Sequence, residues 1–149
     1  MMKNLLKGWK FFLNEEASYS GILKVELPPE TVSEIEPLQA MLPEEAVRIL
    51  PQDLHVTLLH QSILAPFRQK IKTMDLPPTP QIILDDEVWE RESLGKKSWA
   101  VRLQNQGEMR EYVSTIMKLL GSPNTNPEPE RVFHVSLANL TGNPRDSVR

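Results

Sequence analysis

Apolar positions along this chain fall into short segments, each with its own period. In "YSGILKVEL" (19–27), Ile22, Val25 and Leu27 stand among other strand formers and predict a first strand. "ETVSEIEPLQAML" predicts a helix, with Thr31 as its N-cap and Glu34, three residues on, completing a capping box. Pro37 predicts an interruption of that helix, because proline has no N–H to donate and its ring crowds the preceding turn. "PEEAVRI" predicts a short helical turn with Pro43 at its first position and two glutamates in the first turn. "DLHVTLLHQ" then reads as a strand, and "APFRQKIKTM" as a helix with Phe67, Ile71 and Met74 on one face and Pro66 at its start.

Further on, "QIILDDEVWERE" and "KSWAVRLQ" predict two strands joined by the hairpin loop "SLGKK", with Gly95 inside it. "GEMREYVSTIMKLLG" is the clearest helix: Met109, Tyr112, Val113, Ile116 and Leu120 form one stripe, and Gly121 supplies the stop. A proline-punctuated loop leads into a last strand, "VFHVSLANL", after which a closing tail would be short. Ahead of everything, Leu5, Leu6, Trp9, Phe12 and Leu13 recur at helical spacing and predict an amphipathic helix over about 3–13, packed on the body. Lys7 and Lys10 interrupt that segment and no small-residue cleavage site follows, so it does not read as a signal peptide. Strand–helix–strand units flank a pseudo-repeat, which predicts one α+β domain over 1–149 with two facing sheet halves and helices outside.

Composition narrows the partners. With 40% hydrophobic and 25% charged residues over 149 positions, the chain can bury a core, and no apolar run approaches the roughly 18–20 residues of a membrane span. The absence of cysteine excludes disulfides and thiolate metal sites and points to a soluble, cytosolic protein. A net charge of −3 argues against a nucleic-acid duplex as partner, since duplex binding rests on neutralising phosphates, but leaves room for a small phosphate ligand in a local pocket. Oligomeric state is left open.

One pattern occurs twice: His55-Val56-Thr57-Leu58 and His134-Val135-Ser136-Leu137. In a strand, residues two apart share a face, so His55 projects with Thr57 and His134 with Ser136, each imidazole about 7 Å along from its hydroxyl. A single His-x-Thr in a strand is usually structural, its ring satisfied by backbone. A given histidine meets this pattern by chance about one time in a hundred, and here two of the three histidines meet it. If the strands share a cleft, the set suits phosphodiester chemistry. One imidazole takes a proton from the attacking oxygen, the other protonates the leaving oxygen, and the hydroxyls donate to non-bridging oxygens. Neither a metal nor a cofactor is needed for that scheme. His60, five positions after His55, is expected on the opposite strand face as a strand-end or surface residue. A zinc site of His55, His60 and His134 is the weaker alternative, because no carboxylate stands at ligand-like spacing beside them.

"HVTL" and "HVSL", together with the lead-in "LPQDLHVTLL" and the order of elements around both, resemble the paired His-x-Thr/Ser motifs of the two-histidine (2H) phosphoesterases. The resemblance implies a bilobal α+β fold, two pseudo-symmetric β-sheet lobes around a central cleft, with His55, Thr57, His134 and Ser136 as catalytic and phosphate-binding residues. Ser136 stands where many relatives carry threonine, and the hydroxyl is kept. "KGWKFFLNEEASYSGILKVELPPE" and "RVFHVSLANLTGNPRDSVR" are similar to a bacteriophage anti-CBASS branch of that family. Members of that branch degrade the cyclic oligonucleotide alarm signals of a bacterial defence system. This implies metal-independent cleavage of a small-molecule cyclic di- or trinucleotide, such as 3′,3′-cyclic GMP-AMP, in the cytoplasm of an infected host. Two rival readings stay open: an RNA-end-processing enzyme opening 2′,3′-cyclic phosphates, and a non-catalytic cyclic-nucleotide sensor. Bases need aromatic faces, for which Tyr19 is the first candidate and Trp89 the second, while Trp99, flanked by Ala100 and Val101, reads as core. Lys24, Lys96, Lys97 and Arg102 are candidates for local positive potential.

Overall fold

The structure, a computed structural model, describes residues 16–149, so the amphipathic helix expected over 3–13 lies outside the described residues. Seven strands among the described residues form one antiparallel sheet: β1 (Ala17–Tyr19), β2 (Leu23–Glu26), β3 (Val47–Arg48), β4 (His55–Leu59), β5 (Leu84–Ser93), β6 (Lys96–Leu103) and β7 (His134–Asn139). Their order across the sheet is β1-β2-β4-β7-β6-β5, with β3 pairing to the far end of β7. The helices are α1 (Pro29–Ala40), α2 (Gln61–Leu64), α3 (Arg68–Thr73) and α4 (Gln106–Leu119). The class is α+β.

Alternation along the strands explains how the core forms. Leu23 and Val25 on β2, Val56 and Leu58 on β4, Val101 and Leu103 on β6, and Val135 and Leu137 on β7 are all buried in one cluster. Ile35 of α1, Ile71 of α3, and Met109, Val113 and Ile116 of α4 complete that cluster, so the helices cover one face of the sheet. The intervening residues of the central strands are left for the opposite face. Buried Gln39 fastens α1 to the sheet, its amide donating to the carbonyls of Leu137 (2.9 Å) and Ile49 (3.1 Å).

Several local expectations are corrected. The first strand is broken in two by a turn at Ser20–Ile22, where Gly21 takes φ +94°, a conformation costly for any residue with a Cβ. Helix α1 begins at Pro29 with Pro28 before it, and Thr31 is buried instead of capping. Proline already has the helical φ at that first position and gives up an N–H that no partner would meet there. Pro37 does not interrupt α1. It lies on the exposed side together with Ser33, so the Ser33 carbonyl it leaves free faces water. "PEEAVRI" is a single turn closed by Ala46 N–H donating to the Pro43 carbonyl, and Val47–Arg48 then pairs with β7 as strand β3. The other elements stand near their expected places. The β5–β6 hairpin turns at Leu94–Gly95, and α4 ends at Leu119 with Gly121, whose φ is +79°, just past its C-cap.

Candidate active site

β4 and β7 lie side by side at the centre of the sheet, antiparallel, in register at Val56 and Val135. Both valines are wholly buried toward the helices, which turns their neighbours to the open face. Carried one residue either way, that register sets His55 across from Ser136 and Thr57 across from His134. Each imidazole thus has the other motif's hydroxyl at the facing strand position. All four line one open cleft of about 790 Å³. On the flanking strands, Lys24 stands opposite Thr57 and Arg102 opposite His134.

The two histidines are held in the same way. His55 Nδ1 lies 2.8 Å from the carbonyl of Asp53, and His134 Nδ1 lies 2.8 Å from the carbonyl of Val132, two residues back in each case. A carbonyl can only accept, so Nδ1 carries the hydrogen in both rings and Nε2 is the nitrogen left to exchange protons. The pair is not symmetric beyond that. Arg91 Nη1 approaches His134 Nε2 at 3.5 Å, and the Trp89 ring meets the His134 ring edge-on, centroids 5.8 Å apart.

Burial pushes the His134 imidazole down to about 4, with Arg91, Arg131 and His55 lowering it further against the Val132 hydrogen bond. His55 is also lowered from its ordinary value, mainly by desolvation and in part by Lys24, against the Asp53 carbonyl bond. Both rings are therefore neutral at pH 7 in the empty cleft. A phosphodiester anion entering it brings the negative charge that raises them again.

The cleft is basic although the chain is acidic: Lys24, Lys96, Arg131, Arg145 and Arg149 line it, and among the described residues Asp53 is the one carboxylate side chain on its wall. The tail after β7 builds that wall. Buried Asn139 donates to the Asn143 carbonyl (2.7 Å) and to Ser147 Oγ (3.0 Å), Lys96 Nζ to the Arg145 carbonyl (3.2 Å), and Arg91 to the Val148 carbonyl (3.1 Å). An adjoining hollow of about 660 Å³ shares Lys96, Ser147, Val148 and Arg149 with the cleft and adds Trp89 and Arg91.

The sequence-derived candidates divide accordingly. His55, Thr57, His134 and Ser136 are brought together. Trp89 is not on the main cleft wall but stands beside His134 in the adjoining hollow, with the guanidinium carbons of Arg91 and Arg102 at 4.3 and 5.2 Å from its ring centroid. Tyr19 does not line the cleft. It pairs with Leu23 and packs against the core, on the helix-covered face of the sheet. Trp99 is buried, as expected. Of the candidate cations, Lys24 and Lys96 line the cleft, whereas Lys97 pairs with Glu45 (3.3 Å) and Glu90 (3.5 Å) and Arg102 with Glu87 (3.8 Å).

His60 stands at the strand end as expected, but its placement on the opposite face is corrected. It lines the cleft, half-buried, because β4 ends at Leu59 and His60 is the residue from which α2 starts, so strand alternation no longer governs it. Among the described residues no group of three histidine or carboxylate side chains converges as a metal cage. Nor is any helix there long and apolar enough to cross a membrane. Sequence reasoning missed Arg91, Arg131, Arg145 and Arg149. Arg91 shares a strand face with Trp89 and was open to the same alternation argument; the other three reach the cleft from loops and a single 3-10 turn (Pro144–Asp146), too short for a period to read.

Comparison of the chain with protein-family models and with curated protein sequences finds no match.

Proposed function

We propose that this protein is a metal-independent phosphodiesterase of the two-histidine phosphoesterase kind, acting on cyclic di- and trinucleotide defence signals such as 3′,3′-cyclic GMP-AMP. In this reading it serves a bacteriophage, as the anti-CBASS branch does, in the cytoplasm of its bacterial host. The single observation that carries the reading is the duplicated constellation: two imidazoles, each with Nδ1 tied to its own backbone so that Nε2 is the nitrogen that exchanges protons, and two hydroxyls, on one basic cleft. The strand order supports the finer, bilobal reading. Three strands of the main order stand on each side of the β4–β7 seam, each set has its motif strand innermost, and β4 and β7 share one registered pair, while β3 pairs with the far end of β7.

The chemistry follows from the parts. The substrate's 2′-hydroxyl lies next to its own 3′-phosphate at high effective concentration, so it serves as nucleophile. One neutral imidazole takes its proton as the O–P bond forms; the other, protonated once the phosphate is bound, gives a proton to the departing 5′-oxygen. A 2′,3′-cyclic phosphate results, and water opens it with the two proton roles exchanged. Thr57 and Ser136 donate to the non-bridging oxygens as charge builds.

The test is to incubate the protein, with EDTA present, with a panel of cyclic dinucleotides and with RNA ending in a 2′,3′-cyclic phosphate, and to resolve the products chromatographically. Cleavage of the cyclic dinucleotides is expected. Turnover of the RNA ends alone moves the reading to end processing, and tight binding without cleavage moves it to a sensor.

A further inference from the structure

The seam between the two motif strands is thin for a site whose four residues must keep fixed spacing. Only Val56 and Val135 are in ladder register, and beyond Leu59 the chain turns away into α2. Where the ladder stops, one side chain takes over. Arg131 precedes β7 by three residues, and its Nη2 donates to the Thr57 carbonyl on β4 at 3.1 Å. Its Nη1 stands 3.2 and 3.4 Å from the two ring nitrogens of His60. Glu128 Oε2 lies 3.4 Å from His60 Nδ1. A guanidinium can only donate and a carboxylate can only accept. His60 is thus tied to both, with Arg131 Nη1 close to its two ring nitrogens and Glu128 Oε2 close to Nδ1.

We infer that Arg131, working through His60 and Glu128, is a positioning residue: it replaces the missing ladder bonds and sets the Thr57 strand against the His134 strand across the cleft. The chemistry needs such a device. Each hydroxyl has to sit with an imidazole of the opposite strand, and a shift of about 1 Å between strands would misplace donors and proton carriers together. Arginine suits the task because its planar fork reaches a carbonyl and a ring at once; lysine has the charge without the fork.

The groups facing His134 are Arg91 from β5, Arg102 from β6, His55 from β4 and Arg131 itself; those facing His60 are Arg131, Glu128 and Arg149. Arg131→Lys keeps this charge set, so it separates positioning from simple positive potential.

The turnover arm of the test rests on the proposed phosphodiesterase reading; a second arm does not. With 3′,3′-cyclic GMP-AMP as substrate, Arg131→Lys is expected to lower kcat about tenfold or more while KM stays within about threefold. His60→Ala should act alike, and the double variant should be no worse than the poorer single, because both sever one bracket. In the second arm, ¹⁵N-resolved imidazole spectra of the unliganded protein are compared. Arg131→Lys should move the Nε2 signals of both His60 and His134, with circular dichroism and thermal melting unchanged as fold control. Should Arg131→Lys fail to fold, His60→Gln is read the same way, with the His134 and His55 signals as reporters. A kcat within twofold of the parent and unmoved His134 signals would overturn the inference. If the parent itself turns nothing over, the phosphodiesterase reading fails alone, and the imidazole spectra still decide the role of Arg131.

Discussion

The depressed His134 imidazole ties stability to pH in a way that can be isolated. In the unfolded chain this ring titrates near its ordinary 6.5; in the folded protein desolvation, Arg91, Arg131 and His55 hold it at about 4. Below pH 6.5 the unfolded state therefore binds a proton that the folded state refuses, and stability falls as pH falls through the window from 6.5 to 4. The slope is about 1.4 kcal/mol per pH unit, so this one ring costs about 3 kcal/mol between pH 7 and pH 4. His134→Gln cannot titrate and removes the effect. Urea unfolding of both at pH 7, 6, 5 and 4 is the assay. The parent should lose about 3 kcal/mol more than the variant over that range. Parallel curves would mean that His134 is not desolvated, and the electrostatic account of the cleft would go with it.

His55→Ala and His134→Ala should each lower turnover of 3′,3′-cyclic GMP-AMP by about 10²–10⁴ without unfolding the protein, read by single-turnover kinetics beside circular dichroism. Thr57→Val and Ser136→Ala should reduce the chemical rate more than substrate binding, seen as a fall in kcat at nearly constant KM. A cyclic dinucleotide lacking 2′-hydroxyls should not be cleaved; cleavage at the ribose rate would replace internal attack with an activated water. Gln39→Ala takes two hydrogen bonds from buried carbonyls and should cost about 1–3 kcal/mol in urea unfolding, with kcat unchanged.

Much of the site was legible in the chain because strand alternation is a local rule. Given "HVTL" and "HVSL" as strands, each histidine had to share a face with its hydroxyl and each valine had to enter the core, and Val56 and Val135 do so completely. The stripe of α4 and its glycine stop are local in the same sense. The sequence left the partners of these strands open. Only the tertiary structure decides that β4 and β7 are neighbours in a register that sets imidazole across from hydroxyl, because pairing depends on residues nearly 80 positions apart. The same holds for Tyr19, whose place on the helix-covered face follows from the turn at Gly21, and for Pro37, tolerated because the carbonyl it frees faces water. His60 and Arg131 meet only because one chain leaves the sheet where the other enters it. Periodicity encodes which face a residue takes; which residues share the cleft is settled by how the elements pack, and no period in the sequence records that.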